Sequence, residues 1–505
     1  MTLDFTSPVD FVWALLPEIV LSAWAMAVLL AGVWGKEGTE MSLESTSALR
    51  WLAVVGLLAA AVLNGWLYQV TVLGEPGMIT VDRFRLFANW ILLLGATLTI
   101  LISVPYVVRQ RLQAGEFYTL VLLATVGMMI MTGTRNLILL FLAIETMSVA
   151  AYVLAGFNRG DRKSAEASLK YFILGAFSSG FLLYGIALVW GATGSVTLPQ
   201  IAETIEAGAG FRGMLLSGMG LLGIGFAFKV GAVPFHMWTP DVYQGAPTPS
   251  TTFMAVAVKT ASVVVFVRVF LEAFWNLYAS WYMIVWWLAA LTIVVANLVA
   301  LAQSNVKRML AYSSIAHGGY LLVGLAAGNE ISTAAILFYL LVYTVMNVGA
   351  FGILMIVGNQ GEDRMEVEDY AGFGWAEPLY GIMFTIFLLS LAGFPGTGGF
   401  IAKIYLLQGA VGSQLWTLAV LLALGTVVSY YYYLKVAWYM WMKPASEGEV
   451  VERACVPIPM RFTLVGAAGL ILYLGVFPSG LLDAALSSAE GLGLFTSDGF
   501  LGLTR

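Results

Sequence analysis

FKVGAVPFHMWTPDVYQGAPTPSTTFMAVAVKTAS, residues 228–262, places two lysines, Lys229 and Lys259, inside apolar sequence, with Gly231 and Pro234 directly behind the first. A charge at the centre of a bilayer costs about 2.5–3.5 kcal/mol by insertion scales, so such residues mark ion or proton paths by default. Glycine and proline interrupt a helix there, and irregular backbone at membrane depth is tolerated mainly where it lines a polar cavity. The stretch therefore reads as a broken membrane helix with a charge at its break, followed by a second membrane helix that carries another.

Working outward, the same chemistry recurs. Glu145 lies in FLAIETMSVAAYVLAG, His317 in KRMLAYSSIAHGGYLL, and Lys403 in LAGFPGTGGFIAKIYLL, behind a second glycine and proline break. The whole chain suits such a setting. Its 505 residues are 60% hydrophobic and only 10% charged, with mean hydropathy +0.88, where a soluble protein carries about 25% charge. The fold class expected is an all-α, polytopic membrane protein in a lipid bilayer, a single membrane domain over 1–505. The opening MTLDFTSPVDF is acidic, so the first apolar run is expected to be a span and not a signal peptide.

Apolar runs and breaks predict about 14 spans. They group as N-terminal helices 1–3 over 10–105, a first five-helix repeat over 116–272, a second, inverted five-helix repeat over 278–441, and helix 14 over 460–481, with helices 7 and 12 broken. Two observations suggest the repeats. Glu145 precedes Lys229 by 84 residues and His317 precedes Lys403 by 86. Each pair is also offset by five spans, an odd number that reverses orientation, and paired broken helices point to inverted repeats around a working site. Sorting basic residues between alternate loops puts 15 on one side and 6 on the other, the remaining three being the intramembrane lysines. The positive-inside rule then places both termini outside.

Several functions are excluded. No run of like charges suggests nucleic acid. A single cysteine, Cys455, and two histidines, His236 and His317, leave no donor set for a four-cysteine iron-sulfur or zinc site. No metal or cofactor is therefore expected in this chain. GMGLLG at 218–223 formally matches a nucleotide-binding pattern, but inside an apolar run it reads as close helix packing.

Apolar surroundings disfavour a charged lysine and a nearby carboxylate restores it, so Lys229 with Glu145 forms a switchable proton site. The plainer alternative is a static buried ion pair. Lys259 reads as a relay and Lys403 as a terminal donor or acceptor, each with snorkelling toward an interface as the alternative. His317 suits a relay because it both donates and accepts; a core histidine bonded to Ser314 or a neighbouring helix is the other reading. Tyr430 to Tyr433 either carry protons through hydroxyls or simply pack.

These motifs resemble the antiporter-like membrane subunits of respiratory complex I, over nearly all of residues 10–480. The resemblance implies a 14-helix fold with two inverted repeats. It also implies a coupled Glu/Lys pair at Glu145 and Lys229, a central lysine at Lys259 and a lysine on the second broken helix at Lys403. FMN, iron-sulfur clusters and quinone would sit in other subunits of the complex, other membrane-arm subunits would be the partners, and a bacterial inner membrane the location. A subunit of a multi-subunit cation/proton antiporter shares the architecture and is the alternative.

Overall fold

The computed structural model describes residues 2–5, 7–34, 43–72, 77–357, 365–444 and 456–493. Cys455, together with Lys36, Arg364, Arg453 and Arg505 of the charge sorting, lies outside them. The chain is an all-α polytopic membrane protein. In a bilayer every backbone polar group needs a partner within the protein, which favours helices along each apolar run. Among the described residues, twelve segments are long and apolar enough to cross a membrane.

One of these, Thr248–Leu301, has 54 residues. A straight helix of that length would measure about 80 Å, more than twice a ~30 Å hydrocarbon core. A 3-10 turn at Trp275–Leu277 divides it. Pro378–Ala392 is apolar but shorter than the twelve.

Helix starts are fixed by side chains that accept orphan backbone N–H groups. Asp82 caps Arg83–Arg109 through the Arg85 N–H, Asn136 caps Leu137–Ala155 and Asn305 caps Val306–Ala327. The two asparagines head matching arrangements. Leu137 N–H donates to Val196 O and Leu198 N–H to Arg135 O, while Val306 N–H donates to Met365 O and Val367 N–H to Ser304 O. Each partner lies 169 residues after its counterpart, as 136 to 305 and 197 to 366 in the two bridges.

Both broken helices stop in the same way. Arg212–Val230 ends at Gly231, φ 78°, and Pro378–Ala392 ends at Gly393, φ 85°. The N–H groups of Ala232 and Phe394 reach back to Ala227 O and Leu389 O, five residues earlier in each case. This is the left-handed glycine closure of a helix end, accessible to glycine because it has no Cβ. The chain resumes as Trp238–Gly245 in the first and Gly398–Gly412 in the second. GMGLLG lies within Arg212–Val230 and does pack closely: a Cβ on Gly218 would sit 3.0 Å from Gly185 O and 2.9 Å from the Val189 N on the Arg162–Thr193 helix.

The charge sorting needs correction at four residues, which are buried and are not loop charges. Arg85 pairs with Glu18 at 2.6 Å, and Arg268 pairs with Asp82 at 2.8 Å and Glu272 at 2.5 Å. Lys307 donates to Ala246 O, and Arg50 is buried against the Trp51 ring. Composition alone cannot distinguish a basic residue flanking a helix from one folded into it.

Candidate functional site: a buried lysine and histidine axis

Lys229, Lys259, His317 and Lys403 are each at most 3% exposed, whereas Glu145 is half-buried. Lys229, one residue before the end of its helix half, donates to Ser148 Oγ at 2.7 Å and approaches Tyr152 OH at 3.5 Å. Glu145 instead accepts from Ser179 Oγ at 2.5 Å. Among the described residues no Glu145–Lys229 ion pair falls within 4.0 Å, although the carboxylate is near enough to act on the ammonium electrostatically. The expected direct pair is therefore open in this structure, with Ser148, one turn along from Glu145, holding the lysine.

Lys259 follows a π-helical segment, Met254–Val258. Such segments shift the hydrogen-bond register by one residue and occur often at functional sites. Its ammonium donates to the backbone oxygen of Ser314 and to Ser314 Oγ, the latter at 2.6 Å. Tyr343 OH also donates to Ser314 Oγ at 2.8 Å. Three residues on, His317 Nδ1 meets Tyr339 OH at 2.5 Å and Nε2 meets Tyr433 OH at 3.3 Å. Tyr433 OH is bonded to Ser313 Oγ. The alternative of a His317–Ser314 bond is thus replaced by bonds to neighbouring helices, because Lys259 occupies Ser314.

Lys403 sits beyond its break. Its ammonium donates to Leu391 O at 3.0 Å and Ala392 O at 2.9 Å, the last carbonyls of Pro378–Ala392. Those carbonyls have no helical partner and form the negative end of the helix dipole, a setting that suits a cation. Lys403 and Lys259 are both bonded in the interior, so neither snorkels. Tyr320 links the second pair, its ring lying 5.2 Å from Lys403 Nζ and 5.5 Å from the His317 ring. Both lysines are near enough to act on His317 electrostatically. Lys259, His317 and Lys403 are therefore brought together, and Lys229 with Glu145 forms a separate cluster.

A family profile described as NADH:quinone oxidoreductase/Mrp antiporter, TM, matches residues 134–429. NADH-quinone oxidoreductase subunit N of Trichlorobacter lovleyi is 46% identical, over 94% of this chain and 96% of its own length. The chain belongs to the subunit N family. A second subunit N, from Sorangium cellulosum, is 44% identical over 94% of this chain and 97% of its own length. Among solved structures, a chain of respiratory complex I from Thermus thermophilus with bound aureothin matches with TM-score 0.77 and 35% identity, covering 93% of this chain and 99% of that one. A chain of the Mrp complex from Dietzia sp. DQ12-45-1b superposes with TM-score 0.78 at 20% identity, covering 94% and 97%, and shares the fold.

In this member of the subunit N family, sequence reading missed the groups that hold the charges at Ser148, Ser179, Tyr339 and Tyr343, and it offered Ser314 to His317 where Lys259 takes it. Single hydroxyls in apolar helices carry no spacing signal. The tyrosine cluster was visible, and its hydroxyls go to different partners although the Tyr432 and Tyr433 rings stay 4.5 Å apart. Tyr433 meets His317, Tyr432 donates to Asn297 and Tyr430 to Gly393 O, while Tyr431 is exposed.

Proposed function

We propose that this chain translocates protons as the membrane-arm subunit N of a bacterial NADH:quinone oxidoreductase, with Glu145, Lys229, Lys259, His317 and Lys403 as its proton-transfer residues. One observation carries the assignment of residues. Three bilayer-depth lysines and a histidine are held by hydroxyls and carbonyls, ligands that stabilise an ammonium without the permanent neutralisation a carboxylate gives. In such a site, moving a single carboxylate shifts the proton balance. Glu145, half-buried and held by Ser179 rather than by Lys229, is that mobile group.

The enzyme activity belongs to the assembly. FMN, iron-sulfur clusters and quinone are assigned to other subunits, and other membrane-arm subunits are the partners. The chain sits in the bacterial inner membrane with both termini on the periplasmic side.

Fourteen spans follow from taking Thr248–Leu301 as two passes and the second broken helix as one. The inverted repeats over 116–272 and 278–441 are supported by the recurring Asn136 and Asn305 hydrogen bonds and by the two glycine closures. They are also supported by polarity. Lys307, beside Asn305, reaches Ala246 next to Gly245, which packs on Lys163, while Ser164 bonds Ala155 O at the far end of the helix that Asn136 starts. The two asparagines thus cap helices entering from opposite faces. Carried along the two capped helices, an offset of 169 pairs Ser314 with Glu145 and His317 with Ser148, whereas the 84- and 86-residue spacings to the lysines pair His317 with Glu145.

Exchange of Lys229→Ala or Glu145→Ala in the assembled complex should largely abolish the proton pumping coupled to NADH oxidation. Pumping at wild-type stoichiometry in both, with assembly intact, overturns the proposal. Copurification distinguishes the cation/proton antiporter alternative, since redox subunits bound to this chain support the first reading and antiporter subunits the second.

A further inference from the structure

The first broken helix ends on a buried carbonyl that no donor reaches. Arg212–Val230 stops at Val230, which is fully buried. A helical carbonyl is met by the N–H four residues on, and that residue here is Pro234, which has none. The N–H three residues on, at Val233, donates instead to Thr292 Oγ1 at 2.9 Å. The N–H groups of Gly231 and Ala232 turn back to Phe228 O and Ala227 O, and the Trp238 indole N–H also goes to Phe228 O. Among the described residues nothing donates to Val230 O. An unpaired polar group at this depth is costly, because no water is at hand to satisfy it.

The equivalent carbonyl of the second break is occupied. Ala392 directly precedes Gly393 as Val230 directly precedes Gly231, and Ala392 O accepts from Lys403 Nζ at 2.9 Å. An ammonium stands near Val230 O as well, that of Lys259. A Cβ built on Gly318 would lie 3.4 Å from Val230 O and 3.8 Å from Lys259 Nζ, so both polar atoms border the space that Gly318 leaves by having no side chain. Lys259 also has a donor to spare. An ammonium carries three N–H groups, and the two bonds that Lys259 makes both go to Ser314, to its backbone oxygen and its Oγ. Ser314 precedes Gly318 by one turn of Val306–Ala327, which puts the two on one face of that helix.

We propose that Val230 O is a second seat for the Lys259 ammonium, which exchanges across Gly318 between Ser314 and the end of the helix that carries Lys229. The unfilled carbonyl at the negative end of a helix dipole suits a cation. Exchange couples the two clusters. At Ser314 the charge of Lys259 lies with His317, whereas at Val230 it lies at the helix end next to Lys229, where like charges repel and weaken the hold of Lys229 on its proton. The exchange rests on the geometry of Val230, Gly318 and Lys259; its effect on pumping rests on the proton path proposed above.

The test uses the assembled complex, imaged by cryo-EM at rest and during NADH oxidation and reconstituted in proteoliposomes for pumping. In the wild type during turnover the Lys259 side chain should occupy two positions, one with its Nζ about 2.9 Å from Val230 O. Gly318→Ala puts a methyl group between them. Its nearest new contact would be the Val230 Cγ1 methyl at 3.3 Å, on a side chain able to shift, so the variant should assemble with unchanged Tm. In that variant Lys259 should stay on Ser314 alone, and NADH-driven pumping should fall about fivefold, the population change that one ordinary hydrogen bond is worth. Lys259 on Ser314 alone in every wild-type map overturns the proposal, as do two seats persisting in Gly318→Ala. Wild-type pumping in Gly318→Ala while Lys229→Ala is impaired overturns the coupling and leaves the proton path standing. Two seats in the wild type together with full pumping in Lys229→Ala overturn the path and leave the seat.

Discussion

Lys403 owes its position to a residue with no side chain. Gly393 holds φ 85°, and a Cβ there would lie 2.9 Å from Lys403 Cδ and 3.2 Å from its Nζ. Gly393→Ala should therefore cost ~1–2 kcal/mol from the left-handed backbone alone and push the ammonium off Leu391 O and Ala392 O. A lowered Tm of the purified complex together with reduced proton pumping checks this, and an unchanged Tm would mean that the closure relaxes freely. Lys403→Arg probes the charge itself. A guanidinium stays protonated throughout the accessible pH range, so pumping should fall even though the positive charge is kept. Full pumping in that variant would make Lys403 a structural cation. The sequence displays each lysine, each break and their order along the chain, but not which carbonyls or hydroxyls hold each ammonium. Lys229 lies before its break and Lys403 after its own, so similar spacings from Glu145 and His317 conceal different positions relative to the closures. The role of the Ser148 hydroxyl was illegible for a further reason: Ser and Thr in membrane helices mostly bond their own preceding turn, as Ser148 also does to Ile144 O at 2.6 Å.

Between elements, buried charge also fastens helices outside the site. Arg268, on the Lys259–Phe274 helix, binds Asp82, which itself caps Arg83–Arg109, and Glu272, which also binds Arg135 at 2.9 Å. One cluster thus joins an N-terminal helix, the helix carrying Lys259, and the turn that starts the helix carrying Glu145. Removing one member of such a network leaves its partners charged and buried, at a cost of ~3–5 kcal/mol. Arg268→Ala should lower the heat stability of the complex by that order and reduce the amount of this chain assembled, measured by Tm and by subunit content after purification. Stability like that of the wild type would mean that water reaches Asp82 and Glu272. From sequence, Arg268 reads as an outer-loop charge, since a helix that extends beyond its apolar run looks the same whether its last turns are solvated or packed. The π-helical segment ahead of Lys259 was equally hidden, because Met254–Val258 has the composition of an ordinary apolar helix.

At the scale of the whole molecule, the exposed apolar surface, with Phe177, Val427 and Phe462 all at least two-thirds exposed, suits lipid and neighbouring subunits rather than water. Purification in mild detergent should recover redox subunits of an NADH:quinone oxidoreductase with this chain, and their absence from an otherwise intact preparation would favour the antiporter assembly. The sequence by itself determined the membrane setting, the helical class, the two breaks and the three lysines set in apolar runs. Each follows from a local rule: apolar run length, the conformational limits of glycine and proline, and the cost of charge in hydrocarbon. Tertiary structure alone decided which charges meet. It separated Glu145 from Lys229 by placing Ser148 on the lysine, seated Lys259 on Ser314, set the Tyr320 ring between His317 and Lys403, and turned Arg85 and Arg268 from loop charges into buried pairs. Hydrogen-bond partners on different helices depend on helix rotation and packing, and a linear pattern with a period near 3.6 leaves both open wherever every face of the helix is apolar.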